Sequence, residues 1–364
     1  MVLTNYAHDP LLDLDPWVGQ RSASYRFALS NGVTGEHLGD ITPIRFASLS
    51  HNSTNTVKRQ LNLSLGVADM SAVNPLTDRV NVYMTFGDGT EYPLGRYMFT
   101  DASRQVFTSG RLGNMMLTDE MFLVDQQLTA GINGVGVGVT VLIQRVLEGL
   151  PITYELESAP FTAAESWGIG VNRGTILESL SVSGDYWSPW FDNNGVLQFK
   201  RTFNPADEVP DFNFDDGYKV IRTSIVEADD LLVAPNTFIV ISNNSASPGV
   251  APVVGRASVP PDAPHSAFNR GFEIVQTLDL QLSNSQQASA VAQGLVNRQT
   301  IFERVSLTTA PDPRFDGNNV VHWQGSNWLS LSWSLTLQEG APMSHTLRRG
   351  YRGEGVAQTQ TVGR

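Results

Sequence analysis

The chain has 364 residues, length enough for two or three domains with ample core. Its 24 basic and 36 acidic residues give a formal net charge of −12, which argues against a groove that grips nucleic acid by its phosphates. With 0 cysteines, a disulfide framework, a thiolate metal site and a cysteine nucleophile are excluded too.

Residues 1–24 are polar, broken by Pro10 and Pro16 and without a sustained period, so an arm is expected, with Trp17 as its anchor. Asp9, Asp13 and Asp15 interrupt the first apolar residues, so no signal peptide is expected. No apolar run is long enough to cross a bilayer. Weak strands at 25–29 and 45–49 precede a clear one at 58–67, where Leu61, Leu63, Leu65 and Val67 face one side and Asn62, Ser64 and Gly66 the other. A strand at 80–86 alternates through Val82 and Met84, Asp88-Gly89 supplies a hairpin turn, and 91–100 returns with Leu94, Tyr97 and Phe99. With short strands at 105–107 and 114–117, this spacing predicts a first small barrel or sandwich over 25–117.

The pattern then changes. Asp119 is placed to cap a short helix carrying Phe122, Leu123 and Leu128. After a glycine-rich link, Val139, Leu142, Ile143, Val146, Leu147 and Leu150 fall on one helical face, closed by Gly149 and Pro151. Residues 152–156 read as extended. Thr175 and Glu178 have capping-box spacing for a helix with Ile176, Leu177 and Leu180, which Gly184 would end in the left-handed conformation. A tight turn at 192–195 and a strand at 196–200 complete an expected α/β insert over 118–203.

Residues 205–217 read as a polar, acidic linker, followed by strands at 218–226 and 237–242 and a long Ser-, Pro-, Gly- and Ala-rich loop at 243–265. A strand at 271–281 leads into the strongest pattern of the chain. Ser283 and Gln286 have capping-box spacing, and Ala288, Val291, Ala292, Leu295, Val296 and Phe302 form the stripe of a helix over 285–303. A strand at 305–309 is stopped by Pro311 and Pro313, Asp316-Gly317 turns into a strand at 320–323, and Gly325-Ser326 turns into the last strand, 327–337. There Leu329, Leu331, Trp333, Leu335 and Leu337 alternate with Ser330, Ser332, Ser334 and Thr336, so a one-residue slip would expose all five apolar groups. The expected fold class is α+β, mostly β: two small β-barrel-like domains, 25–117 and 204–349, an inserted α/β domain, and a tail at 350–364.

Chemistry is sparse. Gly131, Gly134, Gly136 and Gly138 precede a helix, but the Gly-Lys-Ser/Thr of a phosphate cradle is missing, which leaves a turn. Asp211, Asn213 and Asp215 alternate like the start of a calcium loop, yet Asp216 stands where the loop needs glycine and Arg222 where it needs the bidentate Glu. His8, His37, His51, His265, His322 and His345 show no metal-ligand spacing, and His322 beside Trp323 suits a hydrogen-bonded structural role. Glu155 with Glu157, or Asp185 with Asp192, are candidate pairs for glycoside hydrolysis, with surface carboxylates as the plainer reading. Tyr186, Trp187, Trp190 and Phe191 would stack on a sugar or base, or pack the insert or a subunit contact. Asn52 and Asn62 match the glycosylation sequon, which means nothing without secretion. Charged residues are only 16%, against roughly 25% in average usage. That suits either a subunit buried against others or a loop-rich β protein with Ser, Thr and Asn outside. No catalytic, cofactor-binding or metal residue is expected.

Four stretches carry a family resemblance: EYPLGRYMFT at 91–100, MLTDEMFLVDQQL at 116–128, the helix at Thr175 with DYWSPWFDNNGVLQFKR at 185–201, and the strands at 311–323 and 327–349. In this order and spacing the chain resembles the tail hub, or baseplate hub, proteins of long-tailed bacteriophages. The resemblance implies a homotrimeric ring, with two barrel domains per subunit around a channel. That ring would join the distal tail protein to the tip and fibre proteins beside the C-terminus of the tape-measure protein. It also implies a structural rather than enzymatic role in the virion tail tip, assembly in the host cytoplasm, DNA only in passage and no stable membrane insertion. The net acidity would suit a non-stick bore. Some hubs carry a hydrolase module afterwards, for which a chain ending at Arg364 is expected to leave no room. A cell-wall hydrolase and a carbohydrate-binding tip protein are the rival readings.

Overall fold

A computed structural model describes residues 23–45, 47–86, 89–107, 110–215, 220–226, 233–242, 252–298 and 303–351. The fold is mostly β, and its main element is one 13-stranded sheet. From edge to edge the path runs Val220–Val226, Arg304–Thr309, Met343–Arg349, Ser326–Leu337, Ala47–Asn52, Arg59–Leu65, Gly110–Thr118, Glu91–Phe107, Asp78–Thr85, Ser24–Asn31 and His37–Ile41. The two β regions of the sequence meet where Ser326–Leu337 pairs antiparallel with Ala47–Asn52. Among the described residues the path keeps two edges, so the barrel-like regions are one open sheet rather than closed barrels. A single apolar core runs across that join, with Leu49, Leu61 and Leu117 from one side and Val305, Trp333 and Leu335 from the other.

The last long strand corrects the simple alternation. Pairing with Met343–Arg349 steps from Ser330 opposite Leu347 to Ser332 opposite Thr346, so Leu331 is a β-bulge. The bulge turns the strand over. Trp328, Trp333, Leu335 and Leu337 share the main core, whereas Leu329 packs with Trp187, Trp190 and Val320 in a separate cluster. The bulged carbonyl is satisfied by Ser53, whose N–H donates at 2.9 Å and whose hydroxyl donates at 2.8 Å. The turn before this strand is Gln324-Gly325, both at positive φ (49° and 70°), as a two-residue hairpin requires.

In the insert, Thr153–Leu156 pairs parallel with Val196–Phe199, which pairs antiparallel with Trp190–Phe191. Helices Val139–Leu147 and Arg173–Ser183 cover one core, with Val139, Leu142, Ile143 and Val146 fully buried as the stripe predicts. Phe122, placed on the short helix Met121–Val124, is exposed instead, and Met121 and Val124 are the buried pair. The second helix is capped by Asn172 rather than Thr175: its Oδ1 accepts from the N–H groups of Gly174 (2.7 Å) and Thr175 (3.4 Å). Gly184 is right-handed at φ −87°, and the left-handed residue is Asp185 at φ 57°. Gly184 is needed for space, because a Cβ there would lie 2.7 Å from Tyr186 Cε2 and 2.8 Å from Val139 Cγ1.

Helix Ser285–Arg298 lies on a small sheet of Val253–Ser258, Thr237–Ser242 and Val275–Asp279. Its cap is Asn284, one residue after the expected Ser283; Asn284 Oδ1 accepts from Gln287 N, and Gln287 Oε1 accepts from Ser283 N. The expected loop at 243–265 thus contains a strand, and the expected strand at 58–67 ends at Leu65 and gives way to the helix Val67–Ala72. The expected linker over 205–217 contributes Phe212–Asn213, paired parallel with Val320–Trp323, and buries Phe212 and Phe214 in the main core. Residues 1–22 of the arm with Trp17, Asp88, Phe302 and residues 352–364 of the tail lie outside the described residues.

Gly255 lets the helix touch the small sheet, since a Cβ there would overlap the backbone of Ala288. Gly255→Ala is expected to cost about 1–3 kcal/mol by overpacking, read as a lower urea midpoint at unchanged slope. Gly168→Ala, where a Cβ meets open space, should leave the midpoint unmoved.

Candidate functional site

The residues singled out for chemistry are used by the fold. Asp211 Oδ2 accepts from Val320 N at 2.8 Å and Asn319 Nδ2 at 3.1 Å, and Asp215 accepts from Gln324 N and lies 3.4 Å from His322 Nε2. Those carboxylates hold the neighbouring hairpin, and the acidic linker is part of the sheet. No group of three or more His, Cys, Asp or Glu is arranged for a metal ion among the described residues. Glu155 is exposed, Glu157 accepts from Arg201 N at 2.8 Å, and Asp185 binds Arg201 and Thr202. Asp192 accepts from Asn194 N, Val196 N and Gln198 Nε2 at 2.8–3.0 Å. Neither carboxylate pair faces a cleft as an acid and base. Gly134 approaches the Glu165 carbonyl and Trp167, so the glycine-rich link is a packed turn. The aromatic group is interior: Tyr186 and Phe191 fill the insert core, while Trp187 and Trp190 pack on Val320 and Leu329. His322 is hydrogen-bonded through Nδ1 to Asn327 Oδ1 at 2.8 Å, in the structural role expected.

Two arrangements were not legible beforehand. The first is a buried junction. Leu307, His345, Trp333, His51 and Arg59 stand opposite one another across five strands on the core face of the sheet. The segment Pro313–Asn319 lies over them: the Phe315 ring meets His345 edge-on at 4.5 Å, and a Cβ on Gly317 would sit 2.9 Å from His51. The Arg59 guanidinium, 1% exposed, pairs with Asp316, donates to Asn193 Oδ1 at 2.7 Å and lies 5.5 Å from the Trp333 ring. Asn193, on the insert's turn, donates to the carbonyls of Pro313 (3.0 Å) and Phe315 (3.1 Å). One cation therefore ties the first β region, the insert and the second β region together.

The second is the opposite face of the same sheet. Thr308, Ser344, Ser334, Ser50, Gln60 and Thr118 form one in-register row across six strands. Flanking rows are Ser306, Thr346, Ser332 and Asn52 on one side, and Thr336, Ser48, Asn62 and Met116 on the other. These positions carry no charge and, apart from Met116, only hydroxyl or amide side chains. Charge returns in the next row of the same face, where Arg304 stands opposite Arg348.

The chain resembles solved structures along most of its length. The 43 kDa tail protein of prophage MuSo2 from Shewanella oneidensis matches with a TM-score of 0.59 at 13% identity, over 90% of this chain and 98% of that one. A tail protein from Neisseria meningitidis MC58 matches at 0.58 and 12% identity, over 89% and 96%. The prophage tail protein gp18 of Listeria monocytogenes EGD-e matches at 0.55 and 9% identity, over 91% and 95%. The fold is that of phage tail proteins. No protein-family profile matches the chain, and no curated protein matches it by sequence.

Two outcomes follow from the junction. Asp316→Ala strands the Arg59 charge and should cost about 3–5 kcal/mol in urea titration, whereas Arg256→Ala, which breaks an exposed pair with Glu273, should cost about 0–1 kcal/mol. Acid should also weaken the fold. Burial pushes His345 down to about 3 and, with Arg59 and Lys58 adding to it, holds His51 well below its usual value. Both stay neutral in the fold while the unfolded chain takes up protons near its ordinary 6.5, so stability falls as pH drops from about 6.5 toward 4. Burial raises Asp119 to about 6, which opposes these histidines, while His265, lowered by burial to about 4, adds to them. His345→Gln should therefore flatten the slope by about 1.4 kcal/mol per pH unit, measured by urea titration between pH 4 and 6.

Proposed function

We propose that this protein is a structural subunit of a bacteriophage tail tip. In this reading three copies form a hub ring that joins the distal tail tube to the tip and fibre proteins and surrounds the channel for DNA ejection. The observation that carries the reading is the likeness to phage tail proteins over about nine-tenths of this chain and nearly all of each of theirs. The β regions at 25–117 and 204–349 would build the ring, and the insert at 118–203 with the tail at 350–364 would meet neighbouring tip proteins.

Two features support assembly over catalysis. Strands His37–Ile41 and Val220–Val226 each pair on one side only among the described residues, which leaves backbone groups for a neighbour to take up. Three of the four carboxylates offered as acid and base, Glu157, Asp185 and Asp192, are engaged by backbone amides and neighbouring side chains. Native mass measurement and electron microscopy of the purified chain should show a threefold ring with a central hole. A monomer at high concentration overturns the reading. So does clearing of host cell wall in a zymogram, or glycan binding that Trp187→Ala and Trp190→Ala abolish.

A further inference from the structure

We infer that the cavity between Arg298, Asn318 and Trp187 is a binding site for a carboxylate carried on a short apolar stem. It holds about 300 Å³ and lies where the parts of the chain meet: Thr54 comes from the first β region, Trp187 from the insert, Arg298 from the end of helix Ser285–Arg298, and Asn318, Leu329 and Leu331 from the second β region. Its polar groups are donors short of acceptors. Arg298 gives Nη2 to the neutral carbonyls of Ser181 (3.1 Å) and Tyr186, and it makes no ion pair among the described residues. The acids that act on it are already engaged, Asp185 by Arg201 and Glu178 by Ser188 Oγ at 2.6 Å. Burial pulls Arg298 down to about 10 in spite of both. Arg59, at the same junction, has Asp316 as its counterion; Arg298 has no such partner. Arg298 Nε and Trp187 Nε1 are buried without an acceptor, and Asn318, 9% exposed, has a side-chain amide that bonds nothing among the described residues. Lys58, 3% exposed, holds Ser188 Oγ at 2.8 Å and the Ser53 carbonyl at 3.2 Å on the cavity wall, and adds a second positive charge. A desolvated guanidinium is best matched by a planar anion that accepts hydrogen bonds, which is a carboxylate. Leu329, Leu331 and the Trp187 ring would cover a hydrocarbon stem, whereas the oxygens of an inorganic phosphate would be left against them unpaired. Thr54 is exposed and marks the mouth. The site belongs to the single chain and is independent of any ring.

Calorimetric titration of the full chain at neutral pH and constant ionic strength tests the site. The probes are butyrate, a free acid, and acetyl-Gly-Glu-Gly-amide, which carries the same group as a protein side chain. Butyramide, acetyl-Gly-Gln-Gly-amide and inorganic phosphate are the controls. The wild-type chain is expected to bind a carboxylate probe saturably, and each control at least about tenfold more weakly. Tighter binding of the peptide supports the site with an acidic side chain of a partner protein as occupant, and tighter binding of butyrate supports it with a free organic acid. Arg298→Met keeps the stem and removes the charge, and should weaken binding about tenfold or more. Because Arg298 also holds the carbonyls of Ser181 and Tyr186, Asn318→Gly is the second variant: glycine suits the left-handed φ of 57° at that position, so the chain should fold while binding falls. A wild-type chain that binds neither carboxylate overturns the inference. So does phosphate or butyramide bound as tightly as butyrate, or an affinity that a folded Arg298→Met or Asn318→Gly chain leaves unchanged.

Discussion

A guanidinium buried between three parts of the chain sets the geometry of the rest. Arg59 opens a central strand, and its charge has to be compensated inside the protein, because removing it from water costs several kcal/mol. Asp316 supplies the countercharge and Asn193 an oxygen, and each of those residues binds a further backbone group: Asn193 holds the carbonyls of Pro313 and Phe315, while Asp316 Oδ2 accepts from Asn193 N at 3.1 Å. Asp119 takes the Arg59 amide at 3.0 Å and that of Met121 at 3.1 Å, so the start of the insert is fixed by the same strand. Apolar packing alone would let the insert slide on the sheet. A buried pair bonded through both terminal nitrogens of the guanidinium, Nη1 to Asn193 and Nη2 to Asp316, favours one arrangement over its neighbours.

The sheet join then does two jobs with one set of strands. Its inner rows bury tryptophan, histidine and leucine, and its outer rows present hydroxyls and amides. A period of two separates the faces strictly, so the outer face stays free of charge without any cost to the core. The bulge at Leu331 makes the exception useful. Because the strand turns over there, Leu329 serves the cluster of Trp187 and Trp190, while Trp333 and Leu335 serve the main core. One strand thereby reaches both the insert and the sheet, and Ser53 satisfies the carbonyl that the bulge would otherwise orphan.

Much of this was legible in the sequence where a period was long. The helix at 139–147, the stripe of Ala288, Val291, Ala292 and Val296, and the strands at 59–65 and 326–337 follow directly from apolar spacing. The caps were legible only to within a few residues. Asn284 with Gln287 has the same spacing as Ser283 with Gln286, and Asn172 precedes a Thr–Glu pair that mimics a capping box. Neither pattern reveals which residue leaves helical geometry. The linker over 205–217 was misread because a two-residue strand has no period, so Phe212 and Phe214 looked incidental among acids. Arg59 gave no signal at all: a basic residue at a strand end resembles any solvated charge, and the side chains that hold its guanidinium, Asn193 and Asp316, lie more than a hundred residues away in sequence.

Composition misleads about single faces for a related reason. A net charge of −12 is a sum over all surfaces, and it suggests that an acidic lining would keep DNA from sticking. Repulsion has a drawback that neutrality lacks: in a narrow, low-dielectric passage it also raises the barrier to entry, and by an amount that depends on salt. Hydroxyls and amides neutralise no phosphate and so release none of the counterions condensed on a nucleic acid. The acidic side chains placed here are instead tied into the fold: Asp211 and Asp215 on a hairpin, Asp316 on Arg59, Glu120 on Arg79 and Arg96. In such a chain the sign of the total charge says little about any one face, and register across neighbouring strands says a great deal.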